Sequence, residues 1–221
     1  MTIDERLQDA LRRRAGTIVP AEPEWPHVAR RLGRVLRGAA RVDDDVHFGT
    51  SLSRPFVLDW PAQAQRTAPA VRPDVVVVLL GASEGLPFGD VGCCGADWSA
   101  EYALRAGAMM RSYAQGGAAQ VYWLTLPATR DVERHPALLA VNLGLQLAAD
   151  GLGPSASVLD LAGALTPGFA FRGAMRVDGT STRVRAQDGV HLTRGGAIVA
   201  GHVVLSAMRR DAVLREPSRG R

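Results

Sequence analysis

Short apolar runs alternate with longer amphipathic stretches along this chain, and that rhythm predicts alternating strands and helices. The clearest strand is DVVVVLLG at 74–81, an unbroken β-branched run that suits burial on both faces of a parallel sheet. Further strands are predicted for GTIV at 16–19, ARVDDDVHF at 40–48, AQVYWLTL at 119–126 and ASVLDLA at 156–162. Three consecutive aspartates, Asp43 to Asp45, weaken the second of these. Between the strands, helical spacing of apolar residues marks 2–14, 27–38, 97–115, 133–151 and a final helix from Thr193 to about Leu214. Val28, Leu32, Val35 and Leu36 show that spacing in the second helix. Asp97 is the expected N-cap of the third, and Gly116-Gly117 its stop.

Strands alternating with helices imply right-handed crossovers and a three-layer α/β/α sandwich around a parallel sheet. In such folds sites form at the carboxyl ends of the strands, so four loops belong together. They are PAEP after the first strand, FGTSLSRP after the second, GASEG after the third, and DGVH before the last helix.

Composition narrows the class. With 221 residues, 47% of them hydrophobic, the chain can build one substantial core, and a single domain over 1–221 is expected, with an N-terminal helix over 1–15 and a frayed tail over 215–221. Lys+Arg number 26 against 22 Asp+Glu, and the arginines are spread along the helices, so a nucleic-acid patch is not indicated. The first residues lack the apolar core of a signal peptide, and no run approaches the roughly 20 apolar residues of a membrane span, so the expectation is a cytoplasmic protein without membrane contact. Cys93 and Cys94 are adjacent, which argues against a disulfide between them, and they are too few for a structural zinc site. No metal or cofactor is expected, and the partner is a small-molecule substrate. Nothing in the sequence sets the oligomeric state.

Asp188 and His191 carry the most specific chemistry. A carboxylate that holds an imidazole in one tautomer leaves the other ring nitrogen as a general base near neutral pH. Asp188 could equally cap a turn, with His191 as a surface residue. Gly81 allows tight backbone approach at the exit of the best strand, and Ser83 could donate to a developing oxyanion there. Backbone N–H groups from Gly49 to Ser51 could complete an oxyanion hole, though Ser51 or Ser53 also fits a turn or cap. Glu22 and Glu84 can bring carboxylates to the same cleft as acid/base groups, or can face solvent.

Together these blocks resemble those of the SGNH (GDSL-type) hydrolase superfamily. Gly81-Ala82-Ser83-Glu84 is similar to its G-A-N-D block and Asp188-Gly189-Val190-His191 to its D-G-x-H block. FGTSLSRPFVLDWPA resembles the second block of one bacterial branch, and the likeness extends from about Gly16 to Met208. The resemblance implies a flavodoxin-like sandwich in which His191 is the base, Asp188 its orienting partner, Ser83 stands at the oxyanion asparagine, and Gly49 or Ser51 at the oxyanion glycine.

The departure falls at the nucleophile. Where the superfamily has G-D-S-L, this chain has Val19-Pro20-Ala21-Glu22, so Ala21 occupies the place of the attacking serine. Four explanations are open: an exchanged serine, a nucleophile relocated to Ser51, Ser53, Ser83, Cys93 or Cys94, acid/base chemistry such as water activation, elimination or isomerisation that needs no covalent serine, or a fold retained for binding alone. Arg183 and Arg185, just before the dyad, could bind an anionic substrate or be exposed strand residues. Trp60, Trp98, Tyr102, Tyr122 and Trp123 are read as core and pocket walls.

Overall fold

The computed structural model describes residues 42–213. The strand at 16–19, the helices at 2–14 and 27–38, Ala21, Glu22 and the tail beyond 213 lie outside the described residues. Three parallel strands form the described sheet, in the order β1 (Val75–Val78), β2 (Gln120–Leu124) and β3 (Ala156–Leu159). Val76 pairs with Val121 and Val121 with Ala156, so the register steps evenly across the sheet.

Period-two alternation along β2 explains the three layers. Val121 and Trp123 enter one core, beneath α1 (Trp60–Val71), α2 (Ala96–Ala114) and α3 (His135–Asp150). Tyr122 and Leu124 enter the other, with α4 (Leu161–Leu165) and α5 (Arg194–Arg210). All four side chains are fully buried, as expected of a central strand covered on both faces. At about 25 cal/mol per Å² of apolar surface, each such side chain contributes roughly 2–3 kcal/mol before entropy is counted. The five aromatic residues assigned to the core all lie in it.

Several boundaries move for identifiable reasons. Residues 42–47 form no strand; they are exposed, and Asp45 accepts from the His47 ring at 2.6 Å and from the Gln63 side chain at 3.2 Å. Three adjacent carboxylates suit a solvated segment better than a half-buried pleat. The last strand stops at Leu159, because Asp160 caps α4 by accepting from Gly163 N–H at 2.7 Å. In α2 the N-cap is Gly95, which places Asp97 inside the first turn, where its charge complements the helix dipole. Thr193 caps α5 as its sequence position suggests, but the helix ends at Arg210.

Besides α4, a helix and a two-stranded hairpin escaped the sequence reading. Asp59 accepts from Ala62 N–H at 3.0 Å, with Pro61 in the first turn, so D-W-P is the N-terminal signature of α1. In the segment before the dyad, β4 (Ala174–Val177) and β5 (Thr180–Arg183) pair antiparallel around Asp178-Gly179, both at positive φ. Cys93 and Cys94 require a correction. They are joined as a vicinal disulfide across a cis peptide bond, which brings their Cα atoms to 3.1 Å. Adjacency alone had argued the opposite. Among the described residues no helix is long and apolar enough to cross a membrane.

Candidate active site

The loop from Ala186 to His191 carries the dyad and is closed by its own backbone. Ala186 N–H donates to His191 O at 2.8 Å and Gly189 N–H to Ala186 O at 3.0 Å. Gly189 is required here: its φ is +72°, and a Cβ would stand 2.6 Å from Arg130 Cβ. Within the loop one oxygen of Asp188 accepts from the amides of Val190 and His191 at 2.8 and 3.0 Å. The other lies 2.5 Å from His191 Nδ1. Asp188 therefore closes a turn and orients the ring at once, so the two alternatives weighed for it coexist.

Both side chains of the pair are open to solvent, at 53% for His191 and 43% for Asp188. With Nδ1 held by the carboxylate, Nε2 is the uncommitted nitrogen, and among the described residues no hydrogen bond reaches it. Partial burial pushes the Asp188 carboxyl upward, but the hydrogen bonds from the His191 ring and the Val190 and His191 amides outweigh it, and its pKa lies below the usual value. The carboxylate thus stays ionised to lower pH than a free aspartate.

Beneath the loop lies Arg185, which is 3% exposed. Its guanidinium donates to Val190 O at 2.8 Å, Ala128 O at 2.6 Å and Pro127 O at 3.2 Å, tying the dyad loop to the exit of β2. Burial lowers its pKa to about 10, opposed in part by the charge of Asp188. Arg185 is therefore an internal brace and not an exposed strand residue, whereas Arg183 on β5 is exposed. Arg130 adds a second tie, donating from its guanidinium to Gln187 O at 2.9 Å and from its amide to Gly189 O at 3.3 Å.

The second cluster is built on the exit of β1. Gly81 has φ +132°, and a Cβ there would stand 2.7 Å from Leu126 Cδ1, so only glycine lets this turn approach β2. Glu84 N–H closes the turn on Gly81 O at 3.0 Å. The Glu84 side chain turns inward, accepting from the amides of Leu52 at 2.6 Å and Ser53 at 2.9 Å. The Ser51 and Ser53 hydroxyls are hydrogen-bonded to each other at 3.3 Å and lie close enough to Glu84 to hold its pKa down. Burial pushes the Glu84 pKa up despite these hydrogen bonds. The solvent-facing alternative for Glu84 does not hold.

That arrangement assigns work to each residue of the FGTSLSRP loop. Ser51 and Ser53, 0% and 3% exposed, have their hydroxyls against each other beside Glu84, and the amides of Leu52 and Ser53 are spent on its carboxylate. Gly49 is exposed in a turn at φ +67°. Ser83 is half-buried at the tip of the β1 turn, and among the described residues its hydroxyl has no hydrogen-bond partner. Arg134 donates to Ala82 O and so links this turn to the start of α3. Contacts from Glu84, Arg134, Arg130 and Arg185 thus connect three of the four loops singled out by topology. The fourth, PAEP, lies outside the described residues. No three His, Cys, Asp or Glu converge among the described residues.

A parallel sheet layered between helices makes the fold an α/β/α sandwich, and the Asp–His pair lies on the loop before its last helix. A family model described as "Protein of unknown function (DUF459)" matches residues 25–207, and the chain belongs to that family. Its structure resembles that of a lipase/acylhydrolase from Enterococcus faecalis at 15% identity, covering 91% of each chain with a TM-score of 0.55. It also resembles that of a protein assigned as an acylhydrolase from Bacteroides fragilis NCTC 9343 at 13% identity, covering 84% of this chain and 81% of that one with a TM-score of 0.52. Likeness at such identity is a likeness of fold. No curated protein matches the chain.

Proposed function

We propose that this chain is a hydrolase-type enzyme acting on an acyl ester or related small metabolite, with His191 as general base and Asp188 as its orienting partner. The observation that carries the reading is the 2.5 Å contact between His191 Nδ1 and Asp188, which leaves Nε2 uncommitted. Because Ala21 stands where the superfamily has its serine and Ser51 and Ser53 are turned to Glu84, the nucleophile is a water. His191 Nε2 takes a proton from that water as its oxygen bonds to the acyl carbon. Collapse of the tetrahedral intermediate breaks the bond to the leaving alcohol, which receives the proton back from His191. Ser83, with a hydroxyl not committed elsewhere, polarises the carbonyl oxygen.

A second reading, a fold kept for binding alone, is favoured by the same Ala21. A panel of short-chain esters separates the two. The hydrolytic reading expects turnover that falls by about 10²–10⁴-fold in His191→Ala, with no acylated peptide in the mass spectrum. An acyl adduct on Ser83 would replace the water with a covalent nucleophile. Absence of turnover on every acyl donor, with metabolite binding indifferent to His191→Ala, would leave the binding reading.

A further inference from the structure

Cys93 and Cys94 lie between the turn that carries Ser83 and Glu84 and the helix that follows it. From Gly85 the chain runs out as a short excursion, in which Phe88 and Val91 exchange two backbone hydrogen bonds of 3.0 Å. The cysteines come next, and Gly95 is the N-cap of α2. The first half of the excursion is anchored. Trp98 Nε1 donates to Leu86 O at 2.9 Å, the Phe88 and Trp98 rings lie 5.0 Å apart, and the Arg105 guanidinium sits 4.3 Å over Phe88. The second half is not. Gly92, Cys93 and Gly95 are exposed, and among the described residues the amides from Gly92 to Gly95 donate to no backbone carbonyl. Cys94, half-buried, packs against the core cluster that contains Trp98 and Tyr102.

A disulfide that stabilises a fold does so mainly by closing a long loop of the unfolded chain. Cys93 and Cys94 are neighbours in sequence, so their bond ties no two elements together and is not a structural staple. Its influence is local: with no backbone hydrogen bonds from these amides, the bond and the packing of Cys94 hold the path of the chain into α2. Exposed disulfides are also the ones most open to exchange with thiols.

We propose that Cys93–Cys94 is a reversible redox modification site that takes a small thiol or dithiol, and that its state sets the order of the segment joining the Ser83 turn to α2. The thiolate of the reductant attacks the sulfur of Cys93, the exposed residue of the pair. The bond between the two sulfurs breaks, and its electron pair leaves on Cys94 Sγ, which takes up a proton. A second thiolate of the reductant attacks the mixed disulfide, releasing Cys93 as a thiol and the reductant as its own disulfide. Two electrons pass from reductant to protein, and a small-molecule disulfide reverses the steps. No step touches His191, so the proposal stands apart from the hydrolytic reading.

The test compares the full chain isolated without reductant, reduced with dithiothreitol, and reoxidised with oxidised glutathione. Iodoacetamide labelling counts thiols, and with 2 cysteines in the sequence the count reads this pair alone. The expected result is no label before reduction and two after it. Amide hydrogen exchange from Gly92 into the first turn of α2 should speed up about tenfold or more on reduction and return on reoxidation. Exchange at Leu86 and in the sheet should stay as it was, and Cys93→Ser/Cys94→Ser should match the reduced protein with or without dithiothreitol. The wild-type comparison stands on its own if that variant fails to fold. Two labelled cysteines in the chain as isolated, unchanged by oxidised glutathione, would overturn the site. So would reduction that leaves exchange unaltered, or one that lowers the melting temperature by about 10 °C or more and so marks the bond as a staple.

Discussion

Two carboxylates lie at the carboxyl edge of the same sheet and are used in opposite ways. Asp188 is 43% exposed and divides its oxygens between its own turn and the ring of His191. Glu84 turns inward and gives both oxygens to the loop from Ser51 to Ser53. Hydrogen bonding wins over desolvation at Asp188, and its pKa falls; desolvation wins at Glu84, and its pKa rises. The difference teaches that hydroxyls and carboxyls gathered near a strand end do not make a site by proximity. What distinguishes the dyad is an orienting bond on one side and an uncommitted nitrogen on the other, with a buried arginine holding the loop from beneath.

The largest expected break in this contrast is His191→Ala, which should lower kcat/KM by about 10²–10⁴-fold while leaving the melting temperature close to that of the parent, since the ring is exposed. Arg185→Met should act the other way round on stability. It leaves the carbonyls of Val190, Pro127 and Ala128 without their donor, and denaturant unfolding should record a loss of about 2–4 kcal/mol, with activity reduced as the dyad loop loosens.

Glu84→Gln sharpens the comparison through pH. The folded pKa of Glu84 is raised, so between its usual value and the folded one the native state holds more protons than the unfolded state. Stability should therefore fall as pH rises through that window, and the Gln variant should lack this component of the slope. Asp188, with its folded pKa lowered, predicts the reverse: its contribution is present above the usual carboxylate pKa and disappears as pH falls through the folded value. Ser51→Ala should have the smallest effect, about 1 kcal/mol in unfolding and less than a threefold change in kcat/KM, because its hydroxyl serves Glu84 and not His191.

Local signals made much of this legible in the sequence. The Val75–Val78 run, the Thr193 cap and the D-G-V-H turn all lie where patterning and short-range chemistry put them. What escaped was of two kinds. Some signals were present but passed over: Asp59 with Pro61 opens α1, and Asp178-Gly179 makes the hairpin. Others exist only in three dimensions. That Arg185 lies inside while Arg183 stays outside, and that Glu84 folds back on a loop 31 or 32 residues earlier, follows from contacts between distant segments which no spacing rule encodes.

The orientation of the dyad can be tested without any substrate. Long-range ¹H–¹⁵N correlation of the His191 imidazole, recorded where the ring is neutral, should show the proton on Nδ1 and Nε2 bare, and Asp188→Asn should abolish that preference. A ring found with its proton on Nε2, or one indifferent to Asp188→Asn, would contradict the account.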